Sequence, residues 1–350
     1  MIDTDAKLAE WLPKLQAARW IALDTEADSL HAYPEKLCLM QVSIAGHDVL
    51  LDTLAHIDLA PVLKIFHDHE LILHGSDYDL RLLRKTYDFK PTRLFDTMLA
   101  ARLLGVQQLG LVNLVDHYLR VTLEKGPQKA DWARRPLTDR MAEYARNDTR
   151  YLKPLADLLA AELKTQGRLE WHQETCACYI RDCSVVPPPD RETEWRVKGS
   201  HVLGPSGLAV VRELWRWREI EATAVNKPPY FVLMPETMVG LATAAVESQP
   251  LDPLIPRRFS PRRREGVLKA IEVGLAVQEK PHPLRHTHQR LTEAQARRYR
   301  DFERRRNRRA AELGLDPSLL ASRATLLVLS RDGETAAAEV MMKWQRELLL

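Results

Sequence analysis

The first hundred residues alternate short apolar runs with helical patterns, and this alternation restricts the fold more than any other feature of the chain. Runs at 20–23, 37–44, 48–52 and 71–74 have strand length, with Ala45-Gly46-His47 as a turn between the second and third. Helical spacing covers 58–67 and continues through Leu80-Arg81-Leu82-Leu83. Mixed elements of these lengths indicate an α/β layer fold. From about residue 96 the pattern becomes helical, ending in a long segment from 138 to about 171.

Pro187-Pro188-Pro189-Asp190 cannot continue a helix and reads as a linker. Beyond it no stretch reads as a sheet. Leu208, Val211, Leu214, Trp215 and Arg218 recur at helical spacing, and Pro228-Pro229 breaks the pattern. Pro235-Glu236 opens another helix, because proline suits a first helical turn. Prolines 250, 253, 256 and 261 precede a helix at 262–278, and a last helical block spans 291–350, with Asp316-Pro317 as N-cap and first-turn pair. The expected organisation is an α/β domain at 1–172, a linker at 173–206, and all-α bundles at 207–285 and 286–350.

A chain of 350 residues with 45% apolar and 28% charged residues suits two or three globular domains. No apolar run approaches the length that crosses a bilayer. Met1-Ile2-Asp3-Thr4-Asp5-Ala6 lacks the basic-then-apolar pattern of a secretory signal. Four cysteines are too few for a disulfide framework, so reduced thiols and a cytoplasmic location are the expectation. Residues 1–150 carry 19 Lys+Arg against 22 Asp+Glu, whereas the remaining 200 have an excess of six positive charges. An acidic front and basic rear fit a cation-using part joined to one that holds a polyanion.

Three acidic stretches stand out together. Asp24-Thr25-Glu26 follows the first apolar run, and residues i and i+2 of a strand project to one face. Alone, this is an ordinary solvated strand end. His74-Gly75-Ser76-Asp77-Tyr78-Asp79 marks a strand-to-helix turn, where either aspartate also serves as a simple helix-terminal charge. Tyr144 and Asp148 are four apart in a helical segment, so phenol and carboxylate share a face. Two hard cations about 3.5–4 Å apart need several carboxylate oxygens and can clamp the attacking and leaving oxygens of a phosphodiester. A tyrosine with an ordinary pKa of about 10 is neutral at pH 7, better suited to orienting a water than to deprotonating it.

In order and spacing, Asp24-Thr25-Glu26, Asp79 and Tyr144/Asp148 resemble the three motifs of the DEDD-type 3′–5′ exonucleases with tyrosine in the last motif. Closer still, the chain resembles the bacterial ribonuclease D family, through Leu73-His74-Gly75-Ser76, Leu94-Phe95-Asp96-Thr97 and Asp131-Trp132-Ala133-Arg134-Arg135-Pro136-Leu137. The stretches from Glu194-Trp195-Arg196 through Leu214-Trp215-Arg216-Trp217 are similar to that family's first HRDC nucleic-acid-binding domain. Arg308-Arg309-Ala310-Ala311-Glu312-Leu313-Gly314 and Trp344-Gln345-Arg346-Glu347-Leu348 resemble a shortened second one.

The resemblance implies a ribonuclease-H-like first domain using two divalent cations, Mg²⁺ or Mn²⁺. Asp24, Glu26 and Asp148 would hold the cation that activates water. Asp24 would hold the second, with Asp79 acting largely through waters, and Tyr144 would position the nucleophile. The spacing to Leu80 favours Asp79 over Asp77. The implied partner is RNA with a free 3′ end, such as a tRNA precursor, trimmed to nucleoside 5′-monophosphates. No membrane is implied, and a monomer is favoured. The alternatives are a DNA exonuclease with the same chemistry and a nucleic-acid-binding protein whose nuclease site has lapsed.

Two weaker signals remain. His172, Cys176, Cys178 and Cys183 lack a Cys-x-x-Cys pair, so helix cysteines account for them better than zinc does. Arginine runs at 257–258, 262–264, 297–298, 304–306 and 308–309 fit phosphate contact behind a nuclease domain, or a solvated helix face laced with glutamate. Trp215, Trp217 and Tyr230 are candidate base-stacking rings, with Trp215 better placed in a core.

Overall fold

A computed structural model describes residues 1–124, 126–185, 190–282 and 291–350. Most of the Pro187-Pro188-Pro189-Asp190 linker lies outside the described residues. The chain forms two compact units: Met1–Ala27 with Leu37–Val186 and Gln289–Leu350, and Asp28–Lys36 with Pro187–His288.

The first unit holds strands β1 (Ile21–Ala27), β2 (Leu37–Ile44), β3 (His47–Asp52), β4 (Glu70–Leu73) and β5 (Arg93–Asp96) in one sheet of order β3-β2-β1-β4-β5. The β1–β2 and β2–β3 pairs are antiparallel, and β1–β4 and β4–β5 are parallel. Its helices are α1 (Asp5–Gln16), α2 (Ala60–Asp68), α3 (Asp77–Tyr87), α4 (Thr97–Leu103), α5 (Leu111–Leu119), α6 (Asp139–Arg150), α7 (Leu152–Thr165) and α8 (Leu169–Ser184). A strand between two apolar layers must be apolar on both faces, and the first residues of β1 meet this demand. Ile21 and Leu23 join a core with Leu15 of α1, Phe66 of α2 and Leu83 of α3, while Ala22 joins another with Ala100 of α4 and Leu155 and Leu159 of α7. Asp24 and Glu26 continue the Ala22 face, and Thr25 continues the other.

The helical pattern expected from about residue 96 begins with α4, and the four-residue β5 just before it is a strand that the sequence pattern does not show. Two expectations need correction. The segment expected as one long helix over 138–171 is three, because α6 ends at Tyr151 and Gly167, at φ +68°, separates α7 from α8. Helix α8 continues through Ser184, with Cys176 and Cys183 in the first core, so the chain is still packed helix beyond residue 173, where a linker was expected to begin.

The second unit is helical: α9 (Pro205–Ala224), α10 (Pro229–Val232), α11 (Pro235–Val246) and α12 (Pro261–Ala276), each with proline in its first turn. Leu208, Val211, Leu214, Leu241, Val267 and Ile271 form its core. Trp215 and Trp217 pack against that core, whereas Tyr230 and Phe231 are exposed. Arg262 and Arg263 both bind the buried Glu221 carboxylate, at 2.7 and 3.2 Å, giving these two arginines a structural role.

The C-terminal helices α13 (Glu293–Leu313), α14 (Pro317–Leu320), α15 (Arg323–Asp332), α16 (Ala337–Val340) and α17 (Lys343–Leu349) belong to the first unit. Trp344 stacks on Trp171 with ring centroids 5.1 Å apart, and the Glu174 carboxylate accepts from the Lys343 and Trp344 backbone N–H groups. That carboxylate satisfies two orphan donors at the start of α17. Asp316 caps α14, as the sequence indicates. Among the described residues no helix is long and apolar enough to cross a membrane.

Candidate active site

Four carboxylates reach one end of the sheet by three routes. Asp24 and Glu26 project from the same face of β1, and Asp148 comes down from α6, which packs on β2 and β1. Ligand oxygens of these three lie within 4.8 Å of one another. Asp79 arrives from the other side of the sheet in the first turn of α3, only 5% exposed, where Thr25 donates its hydroxyl hydrogen to Asp79 Oδ1. Asp77 is exposed and engages Arg81 in two hydrogen bonds of 3.1 Å. Of the two aspartates at this turn, only Asp79 faces the cluster.

The turn itself is locked by Asp96. Its Oδ1 accepts from Gly75 N and from Met98 N and Leu99 N at the start of α4, and its Oδ2 accepts from the Ser76 backbone and hydroxyl. Gly75 sits at φ +69°, a conformation that glycine adopts without steric cost.

Helix α6 is fastened at both ends to β3. Asp48 and Asp52 are four apart on that strand and therefore share a face. Arg150 Nε donates to Asp48 Oδ2 at 2.7 Å, and its Nη1 reaches Glu143 and Asn147. Arg135, just ahead of the helix, forks onto Asp52 with bonds of 2.7 and 2.6 Å and also donates to the Cys38 and Trp132 carbonyls. Between the two clamps, Ser43 and Thr149 hydroxyls lie 2.7 Å apart. Tyr144 and Asp148 thus sit on a helix with little freedom to shift.

Crowding of like charges in a buried place dominates the electrostatics. Burial, and then the charges of Asp79, Asp148 and Glu26, hold Asp24 well above the usual carboxylate range. Burial and the Asp148 and Asp79 charges push Glu26 up to about 9. Asp79 and Asp148 rise to about 7, burial outweighing the hydrogen bonds from Thr25 and Tyr144 that favour their charged forms. The Tyr144 phenol, bonded to Asp148, is pushed upward by burial and by Asp148, Glu26 and Asp24, so it stays protonated and acts as a donor.

This donor set suits a hard divalent cation: every ligand atom is a carboxylate oxygen, and the mutual repulsion vanishes once a cation is bound. Gln41 adds to the fit. It pairs with Asp24 across the β1–β2 register and so lies on the same face; it is fully buried, and neither amide atom has a protein partner. A buried amide in that position is left to satisfy groups that the site itself carries, such as coordinated water.

The structure thus brings Asp24, Glu26 and Asp148 together, with Tyr144 bonded to Asp148 and Asp79 near enough for its charge to raise Asp24 and Glu26. Reading motifs alone missed Thr25, Gln41, Asp48, Asp52 and Arg150 as supports. The i, i+4 spacing of Asp48 and Asp52 within a strand was the available signal for two of them. His172 and Cys176 lie side by side in α8, with Sγ 3.4 Å from Nε2, and His172 also contacts the Asp96 carbonyl, so both belong to the packing beneath β5.

Residues 1–164 match the sequence profile of a 3′–5′ exonuclease domain. Ribonuclease D of Gluconacetobacter diazotrophicus is 30% identical over 285 residues, covering 79% of this chain and 72% of its own length. That of Zymomonas mobilis is 30% identical over 349 residues, covering 96% and 83% respectively. The crystal structure of Escherichia coli RNase D, described as an exoribonuclease involved in structured RNA processing, is similar with a TM-score of 0.74 at 25% identity, over 100% of this chain and 96% of that one. With the observed sheet order, these likenesses give the first unit a ribonuclease-H-like exonuclease fold. The chain belongs to the ribonuclease D family, and its 3′–5′ exonuclease domain spans residues 1–164.

Proposed function

We propose that this chain is a 3′–5′ exoribonuclease that releases nucleoside 5′-monophosphates from RNA with the help of two divalent cations, Mg²⁺ or Mn²⁺. The observation that carries the reading is the convergence of Asp24, Glu26 and Asp148 oxygens within 4.8 Å, with the Tyr144 phenol on Asp148. Asp24, Glu26 and Asp148 would hold one cation, and Asp24 with Asp79 the other. When bound, the cations supply Lewis-acid activation of water and offset the charge that builds on phosphorus. Tyr144, as a protonated donor fixed on Asp148, orients the attacking water toward the terminal phosphodiester. Attack forms a new P–O bond and breaks the P–O3′ bond, leaving the phosphate on the released nucleotide and a 3′-hydroxyl on the shortened strand. Thr25 keeps Asp79 turned toward the site.

We assign residues 207–285 as an HRDC-like bundle and 286–350 as a shortened second one, behind an exonuclease domain whose last helix, α8, runs to Ser184. Exposed arginines such as Arg297, Arg300 and Arg308 are suited to phosphate contact without reading sequence. Structured RNAs with short 3′ extensions, tRNA precursors among them, are the substrates this arrangement fits. The test is hydrolysis of a 5′-labelled RNA beside the matched DNA, in Mg²⁺ or Mn²⁺, with the Asp24→Ala and Asp148→Ala variants. Stepwise 3′ shortening of RNA that both variants lose by at least about 10³-fold is expected. Undiminished activity in either variant would remove the proposed site, and preference for the DNA strand would overturn the substrate class.

A further inference from the structure

Gly126 lies in the segment between α5 and α6, and its Cα faces the ring of Tyr144. A Cβ built there would fall 1.6 Å from Tyr144 Cδ2 and 2.3 Å from Cγ. No residue with a side chain fits while the ring stays in place. The three atoms nearest to such a Cβ all belong to the Tyr144 ring.

The same segment supplies a second contact. Trp132 is 1% exposed, and its ring centroid lies 6.1 Å from that of Tyr144 at a tilt of 31°. Arg135 holds the Trp132 carbonyl at 2.8 Å while forking onto Asp52, so the tryptophan is tied to β3. Tyr144 also borders a cavity of about 300 Å³ lined by Thr122, Leu123, Glu124 and Asn147. A side chain at 126 would therefore displace the Tyr144 ring, which has this cavity beside it.

We infer that Gly126 is a positioning residue for the reaction, acting by letting the Tyr144 ring lie close against the backbone so that its hydroxyl stays on Asp148. The inference rests on the reading of Tyr144 as the water-orienting group. Misplacing one oriented donor costs about 10²–10³-fold in rate, so Gly126→Ala is expected to lower kcat by at least about tenfold while KM and Mn²⁺ affinity stay close to wild type.

The experiment is a double-mutant cycle on the full chain, measuring single-turnover RNA hydrolysis for wild type, Gly126→Ala, Tyr144→Ala and the double variant, with thermal melts alongside. If the glycine serves the ring, its substitution costs nothing once Tyr144 is truncated, and the double variant matches Tyr144→Ala. If Gly126→Ala slows hydrolysis equally in both backgrounds, or leaves the wild-type rate unchanged while Tyr144→Ala lowers it, the inference is overturned. An unchanged rate in Tyr144→Ala itself would instead overturn the reading of Tyr144. Should Gly126→Ala lower the melting temperature in the wild-type background but not beside Tyr144→Ala, the clash is still with the ring; equal losses in both would count against it.

Discussion

Arg135 grips Asp52 through two parallel hydrogen bonds, Nε to Oδ2 at 2.7 Å and Nη2 to Oδ1 at 2.6 Å, across 83 positions of sequence. Burial alone would raise the Asp52 carboxyl, but the Arg135 hydrogen bonds and charge prevail and hold it below its ordinary value. Lysine keeps the charge and loses the fork. Arg135→Lys is expected to destabilise the protein by about 2 kcal/mol and to slow hydrolysis, because the segment leading into α6 loses its anchor. Urea unfolding and the rate on labelled RNA check both.

The carboxylate cluster gives a pH dependence whose sign can be worked out. Glu26 is raised from an ordinary 4.5 to about 9, and Asp79 and Asp148 from 3.8 to about 7, so the metal-free folded state holds protons that the unfolded chain releases. Their contribution to stability is complete below about pH 4 and is lost as pH rises toward 9. In chelator, the melting temperature should fall between pH 5 and pH 9. Added Mg²⁺ should reverse that fall most strongly at the alkaline end, where the ligands are deprotonated. A melting temperature that climbs with pH in chelator would mean the carboxylates do not repel one another.

Thr25 is the support easiest to remove without disturbing packing. Thr25→Val keeps the shape and deletes the hydroxyl that holds Asp79. Loss of such an outer hydrogen bond typically weakens metal affinity by about 10–100-fold, which a Mn²⁺ titration of activity would read as a higher half-saturation concentration. Unchanged Mn²⁺ dependence would leave Asp79 independent of Thr25.

In the second unit, Glu221 is a buried carboxylate satisfied by Arg262 and Arg263. Replacing both arginines by alanine leaves that charge uncompensated and is expected to cost about 3 kcal/mol, at the low end for such pairs because Arg262 is well exposed. Chemical denaturation checks this. Adding Glu221→Gln to the pair should recover much of the loss, which an RNA-contact role for these arginines would not produce.

The candidate site residues were legible because their spacings encode faces. Asp24 and Glu26 obey the strand period and Tyr144 and Asp148 the helical one, and both pairs point as those periods require. The pairing of the supports was not legible, because each bond joins residues distant in sequence: Thr25 to Asp79, Arg150 to Asp48, Arg135 to Asp52. In the fold, β5 escaped notice because four residues running directly into α4 show no alternation long enough to read. The break at Gly167 hid inside strong helical periodicity on both sides. Nothing local in Trp344 or Glu174 signals that the last helices pack with the exonuclease core, since that docking depends on two segments 170 positions apart.

The most direct measurement is the number of Mn²⁺ ions bound per chain, by paramagnetic resonance, in the presence of an RNA end made resistant to hydrolysis. Two sites are expected in the wild type, with loss of at least one and a sharply weaker affinity in Asp24→Asn. Wild-type stoichiometry and affinity in that variant would contradict the assignment of Asp24 as the carboxylate shared by both cations.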